Sequence, residues 1–184
     1  RSENENIVIL VHYGFFRFVK NGSLITLPQK TITGITKSSP AIVTSVAHGY
    51  SVGDKVLISG VIGMSQVNNR EFYVSNVTAN TYQLNIWSDV YGTSPVNSSS
   101  YDTYLQGGSS YKVYEVTNTY SPSSVGENVA VDYVQSVDLM ILAKENFHPK
   151  ALRYFSDTNW TFGDYVCNNG PFLDVNSTDN TIIY

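Results

Sequence analysis

The apolar residues of this chain fall mostly in short β-branched or alternating runs, each closed by a turn signal, a spacing that points to a mainly β fold. Ile7-Val8-Ile9-Leu10-Val11 is followed by Phe16-Arg17-Phe18-Val19, and Leu24-Ile25-Thr26-Leu27 resumes after Lys20-Asn21-Gly22-Ser23. Residues 7–27 therefore read as a β-meander. Its last hairpin turns at Asn21-Gly22, because both residues tolerate positive φ.

Short strands are expected again at residues 31–36, 41–47, 55–59, 71–77 and 81–84, with turns at Lys37-Ser38-Ser39-Pro40, at 48–54, at 60–69 and at Ala79-Asn80. So many strands in so short a stretch suggest a small barrel or sandwich. Residues 88–110, rich in Ser, Gly and Asn, read as a loop, and 111–116 as another strand. Ser124-Val125-Gly126-Glu127 has the form of a capping box, which predicts one short helix running through Val129 and Val131 as far as Val134. Val is a poor helix former, so the cap carries that expectation. Residues 137–143 return to strand, and Ala151-Leu152-Arg153-Tyr154-Phe155 with Trp160-Thr161-Phe162 form a hairpin turned by Ser156-Asp157-Thr158-Asn159. The length of 184 residues allows one or two domains.

Composition narrows the function. Charged residues are 14% of the chain, against roughly 25% in an ordinary soluble domain, with 15 acidic and 11 basic side chains and a net charge of -4. Such a chain has no broad cationic footprint for gripping nucleic acid. No apolar run approaches the ~20 residues that a membrane-spanning helix needs. The single cysteine, Cys167, excludes an intramolecular disulfide framework and a Cys-rich zinc site. Residue 1 is Arg, residues 1–10 lack a signal-peptide pattern, and the chain stops inside the strand-like Thr181-Ile182-Ile183-Tyr184. It is expected to be a piece of a longer protein.

No motif assigns a catalytic, cofactor-binding or metal site. His12, His48 and His148 lie in separate segments, outside the H-x-x-x-H spacing that places two imidazoles on one helical face, and read as turn or loop residues. There is no G-x-S-x-G elbow, and Gly107-Gly108 lacks the ending of a phosphate loop. A glycosidase needs two carboxyls across a cleft, and nothing in the spacing of Asp132, Asp138, Asp157, Asp164 and Asp174 supplies such a pair; Asp54 reads as a turn residue. Strand propensity accounts for Tyr73, Tyr82, Tyr111, Tyr114 and Tyr154, with a subunit interface or sugar stacking as alternatives. Trp87 and Trp160 are the candidates for the latter, in a carbohydrate- or receptor-binding β module. The sequons Asn76-Val77-Thr78 and Asn159-Trp160-Thr161 matter only after secretion from a eukaryote.

Several motifs occur in a telling order: Thr33-Gly34-Ile35-Thr36, Pro40-Ala41-Ile42-Val43-Thr44, Ala47-His48-Gly49-Tyr50, Gly53-Asp54-Lys55-Val56, Ile58-Ser59-Gly60-Val61, Gly63-Met64 and Asn69-Arg70-Glu71-Phe72. Residues 31–108 thereby resemble the small β-barrel of the ubiquitin-activating enzyme FCCH domain family, frequent in tailed-phage proteins. The resemblance implies turns at His48-Gly49-Tyr50 and Gly53-Asp54, and Val56 and Phe72 facing the barrel interior. The flanks carry Gly14, Phe16-Arg17-Phe18 and Asn21-Gly22, then the string from Asp132 to Met140, His148-Pro149-Lys150, Thr158-Asn159-Trp160-Thr161 and Asn169-Gly170-Pro171-Phe172. In this they resemble podovirus-type tail nozzle (tail tubular) proteins, in which the barrel is an optional insertion.

That resemblance implies one β-rich domain, residues 1–30 and 109–184, interrupted by the barrel at 31–108. It also implies a non-enzymatic virion protein in the phage tail, a ring of identical copies beside other tail proteins. DNA would be only passing cargo, with no cofactor and no membrane-spanning segment. The expected fold class is mainly β, a small β-barrel inserted in a second β-rich domain with one short helix.

Overall fold

A computed structural model describes residues 6–86, 93–120 and 130–166. They fall into two compact units, residues 6–120 with Phe155–Trp160 in one, and Ala130–Tyr154 with residues 161–166 in the other. The fold is mainly β, as the periodicity predicts.

The first unit begins with β1 (Ile7–His12), β2 (Phe15–Lys20) and β3 (Ser23–Leu24), a meander completed by β11 (Glu115–Thr117) on the other side of β2. The expected Asn21-Gly22 turn is present, with φ of 53° and 77°. Phe16 and Phe18 are buried.

The rest of this unit is one curled sheet. Its strands are β4 (Lys30–Thr31), β5 (Gly34–Ile35), β6 (Ile42–Thr44), β7 (Lys55–Ile62), β8 (Arg70–Ser75), β9 (Thr81–Ile86) and β10 (Gln106–Lys112). Their spatial order is β4-β10-β7-β8-β9-β6-β5. The two end strands are consecutive pieces of one segment: Ile32 N–H bonds to Gly108 C=O, and Thr33 N–H to Thr44 C=O. The sheet thus rolls round until residues 30–35 serve both of its ends. Inside lie Ile32, Val43, Val56, Ile58, Phe72, Val74, Tyr82 and Leu84, with Val67 from the 3-10 turn Ser65–Val67 and Met64, the residue that precedes it. Val56 and Phe72 face the interior as expected.

Residues 106–110 correct the loop reading of 88–110. They are part of β10, which pairs with both β7 and β4. Gly and Ser disguise the strand because neither favours a pleated surface. Glycine is nevertheless needed here, since Gly108 has φ 96° and a Cβ on it would sit 2.5 Å from Val61 Cγ2.

A further sheet consists of β12 (Asp132–Ser136), β13 (Leu139–Ala143), β14 (Lys150–Ser156) and β15 (Asn159–Asp164), in that spatial order, and all of it except Phe155–Trp160 belongs to the second unit. The β14–β15 hairpin turns between Ser156 and Asn159, as read from sequence. Two expectations fail. The helix predicted to reach Val134 does not: residues 132–136 are strand, paired Asp132 to Ala143 through Ser136 to Leu139. The β-branched and aromatic content of this stretch satisfies a ladder better than a helix. The capping box Ser124–Glu127 lies outside the described residues. The strand predicted from 137 starts instead at Leu139, because Val137 occupies the hairpin turn at φ 52°.

Candidate functional site

Two polar clusters are built by the first unit, and neither rests on residues singled out as catalytic candidates. The first grows from Arg17, the one charged residue in Phe15-Phe16-Arg17-Phe18-Val19. Register places Glu115 of β11 directly across from it. Arg17 Nε donates to Glu115 Oε1 at 2.7 Å and Nη1 to Glu71 Oε2 at 2.9 Å. Lys55 Nζ, from β7, donates to both oxygens of Glu115 at 2.9 and 2.8 Å, and also lies 3.6 Å from the centroid of the Phe15 ring. Among the described residues, two cations and two carboxylates from four strands thus meet in one network. The Arg17 and Lys55 side chains are only 5% and 7% exposed, Glu71 and Glu115 17% and 21%.

Each carboxylate meets a guanidinium or ammonium group, and the network joins the meander to the barrel.

His12 closes the edge of this network, stacked on Phe15 with ring centroids 4.8 Å apart. It ends β1 and is not a loop residue. Burial, and after it the Arg17 guanidinium, hold its imidazole below the usual 6.5. The folded chain therefore takes up the proton less readily than the unfolded one, and stability is lost as pH falls below 6.5. Denaturant titrations on either side of that pH should show this loss, and His12→Asn should reduce the difference.

The second cluster is the His48-Gly49-Tyr50 turn. Ala47 and Gly49 have φ of 49° and 71°, which gives the expected turn. His48 is buried, and its Nδ1 accepts the Tyr50 N–H at 3.0 Å. The Tyr50 hydroxyl bonds to Ser110 C=O at 3.1 Å and to its Oγ at 2.9 Å. His48, Tyr50 and Tyr82 pack ring against ring at 5.0 to 5.3 Å. Burial pushes both tyrosine hydroxyls up, so neither supplies a tyrosinate at neutral pH. This motif anchors a turn to β10.

The other sequence candidates are dispersed. Asp54 accepts the Ser51 N–H and pairs with Lys112, which makes it the turn residue expected. Asp157 pairs with Lys20, and Asp164 with Lys150, whose ammonium holds the exposed Asp164 carboxyl below its ordinary range. Asp132 lies on an exposed strand and Asp138 in a turn. His148 is in a loop. Trp160 is stacked on Phe18 at 4.3 Å, within the first unit, and so presents no open platform for a sugar ring. Cys167, Asp174 and Trp87 lie outside the described residues. Among the described residues no three His, Cys, Asp or Glu side chains gather as metal ligands, and no helix is long and apolar enough to cross a membrane.

Sequence reasoning missed Arg17, Lys55, Glu71 and Glu115. The one available signal was a lone Arg within an aromatic strand, since a buried Arg requires acidic partners.

Residues 38–114 match the family model described as the ubiquitin-activating enzyme E1 FCCH domain. The curled sheet is thus an FCCH-like domain. The match starts later than the 31–108 read from motifs and ends later too, taking in the whole of β10. No curated protein matches the chain significantly.

Proposed function

We propose that the chain is a structural, non-enzymatic subunit of a tailed-phage virion, one of a ring of identical copies in the tail nozzle through which DNA is delivered. One observation carries the assembly role. Arg17, Lys55, Glu71 and Glu115 are taken up in ion pairs, while large apolar side chains stand exposed on the β12–β15 sheet and its first turn, Tyr133, Val134, Val137 and Phe155 among them. Exposed apolar surface of this kind marks contact with other chains. The tail placement rests on the ordered flank motifs from Gly14 to Asn21-Gly22 and from Asp132 to Pro171-Phe172. A net charge of -4 suits a conduit wall, because strong phosphate contacts would hold the polymer in place. A cryo-EM map of the particle that carries this chain tests the reading. Density for the chain in a ring at the end of the tail supports it, and density elsewhere overturns it.

A further inference from the structure

We propose that Asn21-Gly22 is a covalent modification site, at which the Gly22 amide nitrogen attacks Asn21 Cγ, ammonia leaves, and residue 21 becomes aspartate or isoaspartate. The reagents are the chain itself and water. The attack forms an N–Cγ bond and breaks the Cγ–Nδ2 bond. The Gly22 amide proton goes to base, and the departing nitrogen takes a proton from water. The cyclic imide so formed then adds water at either carbonyl. Opening at Cγ gives aspartate, and opening at the backbone carbonyl gives isoaspartate.

The structure selects this asparagine from the others described. Many side-chain amides are committed: Asn68 bonds to both backbone groups of Val61, Asn118 to Gly14 N–H and His12 C=O, and Asn85 to Ser75 and Gln83. Asn76, Asn80 and Asn97 each hold a partner as well. Asn6, Asn69, Asn146 and Asn159 precede Ile7, Arg70, Phe147 and Trp160, whose side chains crowd the nitrogen that would attack. Asn21 alone among the described residues precedes glycine. Both residues of the pair are exposed, and among the described residues neither the Asn21 carboxamide nor the Gly22 N–H has a hydrogen-bond partner.

The hairpin supplies the freedom to react. With φ of 53° and 77°, the two residues make up the whole turn between β2 and β3. The ladder that holds it is short, Lys20 with Ser23 and Val19 with Leu24, and a short ladder at the surface opens locally. Opening lets Asn21 rotate into the attack. The product does not fit the same turn. Isoaspartate carries the chain through its β-carbon and so adds a backbone atom between Lys20 and Ser23. Either product also sets a new negative charge next to Lys20, whose ammonium bonds to Asp157 at 3.0 and 3.1 Å. The site rests on this hairpin and not on the tail reading.

Peptide mapping of the whole 184-residue chain, aged in mildly alkaline buffer, is the test. Trypsin cuts after Lys20 and Lys30, and the peptide Asn21–Lys30 holds one asparagine. Its acidic products, aspartate and isoaspartate resolved by chromatography and fragmentation, should build up faster than those of any other described asparagine. The Asn-Gly pair at 169–170, outside the described residues, falls on a different peptide and does not enter the reading. A Cβ on Gly22 meets no atom within 4 Å, so Gly22→Ala fits in space and should slow the reaction several-fold. The wild-type measurement decides alone if that variant does not fold. An Asn21–Lys30 peptide that stays amidated, equal rates at Asn21 and Asn69, or aspartate without isoaspartate, the mark of direct side-chain hydrolysis, overturns the proposal.

Discussion

Gly63→Ala should lower the stability of the barrel by about 3 kcal/mol or more, among the largest effects of any single methyl group in this chain. Gly63 follows β7 with φ 95°, and a Cβ there would lie 2.1 Å from Thr103 C=O and 2.8 Å from the Leu105 amide nitrogen. Both obstacles are backbone, so no rotamer change relieves them. Leu105 N–H is itself bonded to Ile62 C=O at 2.9 Å, and moving it away breaks the lead-in to β10. The buried Met64 beside it would be displaced as well. Urea unfolding of the two proteins measures the difference. A change below about 1 kcal/mol, the size of an ordinary surface substitution, would mean that the chain at 103–105 does not lie against Gly63.

Glu115→Gln should cost about 3 kcal/mol, the low end for breaking a buried pair because this carboxylate is 21% exposed. The substitution keeps size and shape and removes only the charge, leaving Arg17 and Lys55 with Glu71 as the remaining carboxylate of the network. Glu71→Gln should cost less, since Glu71 meets Arg17 alone within it. Salt should change these differences little, because the cations are screened from solvent. A double-mutant cycle of Glu115→Gln with Lys55→Met isolates the pair. A coupling near zero would show that the ammonium and carboxylate do not meet as described.

Much of the fold was legible because local chemistry and global structure agree. Asn21-Gly22 and Gly49 turn where their tolerance of positive φ says they should, and the alternating apolar runs became strands. Legibility failed where composition and structure part. Gly108 sits in β10 because close packing on Val61 leaves no room for a Cβ, a requirement no local pattern reveals. The capping box at Ser124–Glu127 suggested a helix reaching Val134, but from Asp132 the chain pairs with a strand that starts seven residues later. The ionic network was hidden by distance: Arg17 and Glu115 are 98 residues apart, and only the placement of β11 beside β2 brings them together.

The most direct test of the structural role is a cryo-EM reconstruction of the virus particle that contains this chain. The account predicts density for the barrel and the β12–β15 sheet repeated around the axis of the tail, as a ring of identical subunits. Density for the chain outside any tail ring, or a particle lacking it, would contradict the account.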